Sequence, residues 1–380
     1  MKENSYIHLD FMRGIAALLV MVGHLRSYLF VEFSDLDSPG IVEKAFYFVT
    51  GFGYISVMVF FVLSGFFITK SIVGMVERGS WSWRNYLIRR LSRLWTVLIP
   101  ALVLTLFWDK LGIILTDSGY YTGEFFEGYA RGPSTEDGGV DLSWGAFAGN
   151  AFFLGGIETA LYGSNLPLWS LAYEFWYYIL FPLAFIPFAV KGSTSYKLIS
   201  LVLCAVLIWW LPSYLISLGL VWLFGSLVCK LHQKEACQEF FGKPIVVILT
   251  TGLFLASVIA ARIHPGLITY LIVGLFTGTF VLSMTSVKIR CSFYESASTF
   301  FANMSYTLYL VHDSFLAFIA CYFLLNKQSQ FTPDAMIMFG GLMCVTIIYS
   351  FVVYWIFERN TPTIKNTFMK HVPKLDAARA

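Results

Sequence analysis

Asp10, Arg13 and His24 lie in one apolar stretch, LDFMRGIAALLVMVGH, at residues 9–24. On an α-helix each residue turns about 100° and rises about 1.5 Å. The three side chains therefore fall within roughly 60° of arc, with Arg13 and His24 about 16 Å apart along the axis. Ionisable groups at such depth in an apolar helix are costly and by default mark a site. A neutral imidazole is the usual general base for a hydroxyl nucleophile near neutral pH, which makes His24 the first candidate.

Other stretches carry complementary chemistry. In SWRNYLIRRLSRLWTVLIP, residues 82–100, Arg84, Arg89, Arg90 and Arg93 converge. Forked guanidinium donors match phosphate oxygens, although a basic cluster at a span end also anchors to lipid headgroups. NLPLWSLAYEFWYY, residues 165–178, sets Glu174 about two turns into an apolar run with Ser170 one turn away on the same face. Glu174 there is suited to accept a proton or orient a hydroxyl, or to form a structural pair, and it is expected within reach of His24. YTLYLVHDS, residues 306–314, brings a second imidazole, His312, beside Asp313. Adjacent helical residues point about 100° apart, so these two need not act as a unit, and His312 reads first as structural.

Simpler roles suffice elsewhere. Ser64 and Gly65 in FFVLSGF suit close helix packing, and FERN at 357–360 reads as an interfacial stop. The six histidines show no HxxxH or HExxH spacing and the six cysteines no CxxC pair, so no metal site is expected and the thiols read as packing residues.

The elements that must hold these groups are membrane helices. With 57% hydrophobic and 13% charged residues and a mean hydropathy of +0.69, the composition excludes an ordinary soluble domain. An all-α polytopic membrane protein is expected. Runs of about 17 to 25 apolar residues give ten candidate spans, near 10–30, 52–72, 92–108, 168–190, 197–212, 214–230, 244–261, 266–286, 303–325 and 336–357. Pro212 divides the fifth from the sixth. The first run lacks a small-residue cleavage site and reads as a retained span, not a signal peptide. With both termini in the cytoplasm, the outer connections receive only Arg26, Lys44, Lys110, Arg131, Arg262 and Lys327 of the basic residues outside the first span, as the positive-inside rule favours.

The connection 109–167 is then external and acidic, with Asp117, Glu124, Glu127, Glu136 and Asp137 near its Gly-rich centre. Its apolar patch, Trp144 to Gly156, is too short to span and is expected to be re-entrant or to lie on the membrane surface.

Taken in order, LDFMRGIAALLVMVGH, FFVLSGF, RRLSR followed by LWTVLIP, LPLWSLAYEFWYY, LFGSLV, MSYTLYLVHDS and FERN resemble the recurring segments of the membrane-bound acyltransferase-3 family of bacterial O-acyltransferases. Nearly the whole chain is covered. The resemblance implies a multi-pass inner-membrane enzyme that moves an acyl group, commonly acetyl, from cytoplasmic acetyl-CoA to a hydroxyl of a cell-surface or exported saccharide or glycolipid. Acetyl-CoA is a substrate in this reading; no tightly bound cofactor and no nucleic-acid partner are expected. By the same resemblance His24 is the essential histidine, Arg13 the arginine of the first motif, and Arg89, Arg90 and Arg93 hold the coenzyme A phosphates. Glu174 is the glutamate of the motif containing WSL.

Asn360 stands where many relatives carry a proline. The acyltransferase domain is expected over 1–360 with a cytoplasmic tail at 361–380, without the SGNH-type domain that some relatives append. His24 would then be the base, assisted by Glu174, with Trp169 or Tyr309 as donor to the developing oxyanion, and Asp10, Ser170 and His312 in support. From the residues alone, a transporter or flippase, or a polymerase of lipid-linked saccharides, is the competing reading.

Overall fold

The computed structural model of the chain describes residues 6–116, 118–123, 138–287, 291–323 and 328–371. Asp117, Glu124, Glu127, Arg131, Glu136, Asp137 and Lys327 of the outer connections lie outside the described residues, as does the tail beyond residue 371.

The chain is all-α. Its helices are α1 (Ile7–Leu29), α2 (Ile41–Val49), α3 (Gly53–Glu77), α4 (Trp83–Leu115), α5 (Trp144–Ala151), α6 (Leu168–Ala189), α7 (Thr194–Trp210), α8 (Ser213–His232), α9 (Glu235–Phe241), α10 (Pro244–Ile263), α11 (Leu267–Ser286), α12 (Ser292–Phe323), α13 (Pro333–Ile356) and α14 (Thr361–His371). Among the described residues, nine helical stretches are long and apolar enough to cross a membrane. The 17-residue α7 is a further apolar helix, and Pro212 separates it from α8 as expected.

Several helices outrun their apolar runs. α4 has 33 residues and α12 has 32, because hydropathy registers only the part suited to hydrocarbon while backbone hydrogen bonding carries the helix on through polar ends. The extension matters for the site, since it places Arg84, Arg89, Arg90 and Arg93 on α4 itself.

The packing that positions the site is between α1 and α12. The two run parallel, with His8 Nδ1 2.8 Å from the Tyr294 hydroxyl, Gly14 against Phe301, and His24 Nδ1 2.7 Å from His312 Nε2. A Cβ on Gly14 would lie 2.7 Å from the Phe301 Cβ, so the missing side chain is what lets the helices close. α3 and α8 use the same device: a Cβ on Gly65 would lie 2.1 Å from the Trp222 carbonyl oxygen, and one on Gly225 1.9 Å from that of Val62. FFVLSGF is thus a packing segment, as expected, and its Ser64 also accepts a bond from the Trp222 indole at 3.1 Å.

The short α5 docks against the bundle. Trp95 on α4 donates to the Ala151 carbonyl at 2.8 Å, and Trp176 on α6 donates to that of Phe153 at 3.0 Å. FERN does more than stop a span. A 3-10 turn at Glu358–Asn360 aims the Glu358 carboxylate at Thr307 on α12, where it accepts from the hydroxyl at 2.5 Å and the backbone N–H at 3.2 Å. Satisfying that carboxylate in a low-dielectric setting draws it inward from the interface.

Gly14→Val is expected to lower the stability of the detergent-solubilised protein by about 1–3 kcal/mol through overpacking against Phe301. Gly252→Val, on α10 where an added Cβ meets nothing within 4 Å, is expected to be silent. Thermal unfolding of the two side by side checks the α1–α12 contact.

Candidate active site

The parallel register delivers His24 to His312 and Asp313. The two imidazoles stack with centroids 4.9 Å apart, and the His24 Nδ1 also lies 3.3 Å from the Asp313 carboxylate. His312 Nδ1 is 2.7 Å from the Leu308 carbonyl oxygen. A carbonyl only accepts, so that nitrogen carries the proton and, in the neutral ring, Nε2 is an acceptor. His24 must then donate from Nδ1 to His312, which leaves its lone pair on Nε2. The arrangement fixes one tautomer of His24 and sets a carboxylate to stabilise the imidazolium formed when Nε2 takes a proton.

Adjacent positions 312 and 313 do diverge, but His24 inserts between them and meets both. Spacing alone leaves His312 structural first and Asp313 without a role, because no local pattern announces a partner 288 residues away.

The Asp313 carboxylate, fully buried, also accepts from the Leu166 backbone N–H at 3.2 Å and the Tyr28 hydroxyl at 3.5 Å. Tyr28 in turn bonds Tyr120 at 3.0 Å, whose phenol burial pushes well above its ordinary value, so it stays a neutral partner. The segment before α6 is tied down next door: Asn165 donates to the Leu310 carbonyl at 2.8 Å, and Ser164 donates from both its N–H and its hydroxyl to Asp109.

A cavity of about 400 Å³ lies beside this cluster; His24, His312 and Asp313 do not line it, and Tyr309 stands between. Asp10, Arg13, Arg90, Arg93 and Glu174 supply its charge, Val57, Phe60, Phe61 and Leu63 much of its apolar wall, and Ser170 and Tyr309 also line it. Arg13 pairs with Asp10 at 2.8 Å on the face that helical spacing predicted. Arg90 donates to Ser71 at 2.5 Å. The Nε atoms of Arg13 and Arg90 are nevertheless buried without an acceptor among the described residues, which is the signature of donors awaiting an anion. Glu358 lies within electrostatic reach of Arg93 and Arg13.

Ser170 and Tyr309 share a 2.6 Å hydrogen bond. The Tyr309 ring is 6.3 Å from that of His312, so Tyr309 belongs both to the cavity wall and to the surroundings of the imidazoles.

Several expected placements change. Glu174 does not meet His24; it accepts a hydrogen bond from Tyr178 and sits in the cavity within reach of the Arg13 charge. The reason is axial: Arg13 lies about 16 Å before His24 on α1, and Glu174 lies a turn deeper than Ser170, which is already level with Tyr309. Arg89 is exposed and is not among the cavity-lining side chains, because it is a neighbour of Arg90 on a helix and so points about 100° away. Trp169 likewise turns from the cavity, stacking on Tyr54 at 5.5 Å; of the two candidate oxyanion donors, only Tyr309 lines it.

The metal expectation rested on spacing alone. Ligand atoms of His24, His312 and Asp313 do lie within 4.8 Å of one another. Their present geometry is that of hydrogen bonding, since 2.7 Å between the two nitrogens is closer than two ligands of one tetrahedral zinc at about 2.0–2.1 Å would sit.

Residues 6–355 match a family described as an acyltransferase domain. No curated protein and no solved structure matches the chain.

Replacing Asp313 by Ala is expected to destabilise the protein by about 3–5 kcal/mol, since buried donors lose their acceptor. Asp313→Asn keeps one acceptor oxygen and is expected to lose less, a ranking that thermal melts of the purified variants read directly.

Proposed function

The chain belongs to the membrane-bound acyltransferase-3 family and is a membrane acyltransferase; we propose that it moves an acyl group, acetyl by default, from cytoplasmic acyl-CoA to a hydroxyl of a cell-surface or exported saccharide. The observation that carries the reading is one cavity with orphaned arginine N–H groups on Arg13 and Arg90 and, on its wall, Tyr309 next to an imidazole pair of defined tautomer. We place the basic end at the cytoplasmic face of a bacterial inner membrane, with both termini inside, on the distribution of Lys and Arg.

In this reading the coenzyme A phosphates rest on Arg90 and Arg93 and reach the buried donors of Arg13, while the pantetheine arm follows the apolar wall. His24 Nε2 takes the proton of the acceptor hydroxyl as its oxygen attacks the thioester carbonyl. The negative charge that develops on the carbonyl oxygen is met by the Tyr309 hydroxyl, once Ser170 turns its own proton from the Pro167 carbonyl, 3.1 Å away, to the Tyr309 oxygen. Collapse breaks the carbon–sulfur bond, the imidazolium returns its proton to the leaving thiolate, and the ester and free thiol result. Asp313 stabilises the imidazolium between those steps and His312 holds the ring, as a carboxylate and its hydrogen bond orient the base in a triad. Glu174, paired with Tyr178, sets the charge around Arg13 and does not reach the base.

His24→Ala is expected to abolish transfer while membrane abundance is unchanged. Mass spectrometry of surface and secreted glycans, from a deletion strain complemented with wild type or with the variant, checks it; normal acylation by the variant would remove His24 from the mechanism.

Arg90→Ala is expected to raise the KM for the acyl donor about tenfold or more, as loss of a charge-assisted hydrogen bond does. Arg89→Ala, which removes an exposed guanidinium outside the cavity, is expected to have a much smaller effect. Initial rates against donor concentration at fixed acceptor separate the two.

A further inference from the structure

At the His24 end of the bundle, residues in the first turns of α3, α6, α8 and α11 bring Tyr54, Trp169, Tyr214 and Tyr270 together. Tyr54 stacks on Trp169 with an interplanar angle of 14° and meets Tyr270 at 4.9 Å. Its hydroxyl bonds that of Tyr214 at 2.8 Å. Tyr54 is 37% exposed and Tyr214 42%. The Trp169 indole N–H is neither sealed from solvent nor bonded to an acceptor among the described residues. An interfacial belt presents aromatic rings to lipid headgroups, whereas these four, from four helices, gather around one another, with Tyr270 buried beneath the half-exposed Tyr54 and Tyr214.

Two guanidiniums converge nearby. Arg262, at the end of α10, lies against the backbone of Gly51, three residues before Tyr54; a Cβ on Gly51 would be 2.2 Å from the Arg262 Nε. Arg262 donates to the Tyr47 carbonyl at 3.4 Å, and the Arg26 guanidinium sits 5.0 Å over the Tyr47 ring. The Nε atoms of Arg26 and Arg262 are buried without an acceptor among the described residues. Among the described residues no carboxylate lies at ion-pair distance from either.

We propose that this end of the bundle is a subsite for an acidic saccharide. The apolar faces of sugar rings pack on the Tyr54–Trp169 shelf, whose hydroxyl and indole edges bond ring hydroxyls. A carboxylate or phosphate on the sugar is held by the forks of Arg262 and Arg26. Trp169 turns from the cavity, but its ring meets edge-on, at 6.5 Å, that of Phe61, which lines it, so the shelf lies behind one wall of the cavity. The inference rests on the transfer reading for why a saccharide comes here, and it narrows the acceptor to an acidic one.

The test is a binding titration without any acyl donor. Full-length protein in phosphatidylcholine nanodiscs, free of sugar-based detergent, is titrated with a hyaluronan tetrasaccharide and with neutral chitotetraose. The acidic probe is expected to bind about tenfold more tightly, the size of one charge-assisted contact. Arg262→Gln is expected to erase that preference without changing the neutral probe, and Trp169→Ala to weaken both probes about tenfold. Arg90→Gln, in the cavity, is expected to alter neither. If Arg262→Gln does not yield monodisperse protein, Gly51→Ala displaces the guanidinium at constant charge and is expected to lose the same preference.

Equal affinity for the two probes, no binding of either, or unaltered titrations in the shelf and arginine variants each overturn the proposal. So does displacement of the acidic probe by phosphatidylglycerol added to the disc, which would assign the arginines to lipid headgroups. Since no thioester is present, a failed titration leaves the acyl-transfer reading standing, and a failed His24 test leaves the titration standing.

Discussion

The parallel register of α1 against α12 is the constraint on which the site depends. His8, Gly14 and His24 of one helix meet Tyr294, Phe301 and His312 of the other at a nearly constant offset. With the two helices locked at Gly14, no side-chain adjustment is needed to bring the imidazoles together; the backbone does it. The same register sets Arg13 at the cavity while His24 stands further along, so the basic lining and the imidazole pair are separated along one rigid rod. Elements on rigid helices hold such geometry better than loops do.

Around that pair, the bundle satisfies its buried polar groups through contacts between distant segments. Asp109 is closed by Ser164, Glu358 by Thr307, and Asp313 by Leu166, Tyr28 and His24. Away from water each such group is expensive unless matched, and the matching is what fixes the segment before α6 over the helices beneath it. Among the described residues the exceptions include the Nε atoms of Arg13, Arg26, Arg90 and Arg262, beside single hydroxyl, amide and imidazole atoms scattered through the helices. Arg13 and Arg90 line the cavity, while Arg26 and Arg262 meet beside Tyr47 at the His24 end.

Much of this was legible in the amino-acid order. The apolar runs gave the helices, helical spacing put Asp10 with Arg13, and Ser170 and Glu174 do share the cavity. What spacing does not carry is depth between helices. Glu174 was expected at His24 because both sit in the same half of the bilayer, yet a difference of one turn sends it to Arg13. The partners of His24 were legible only as an adjacent pair with divergent directions, and nothing in the residues near position 24 points to position 312. Glu358 read as an interfacial charge because a charge at a span end usually is one; the 3-10 turn that folds it inward has no signature in FERN.

The 2.6 Å hydrogen bond between Ser170 and Tyr309 has a consequence for the energetics of the cell. A membrane bundle that holds a charged cavity among its helices risks becoming a pore. Each ion slipping through an energised bilayer would dissipate about 2.3 kcal/mol per 100 mV. The hydroxyl pair, flanked by Phe60 edge-on to Tyr309 at 5.7 Å, forms part of the cavity wall on the side of the imidazole pair. Two hydroxyls bonded to each other and backed by an aromatic ring leave a passing ion few partners at that point, and the cost of stripping its water there opposes leakage.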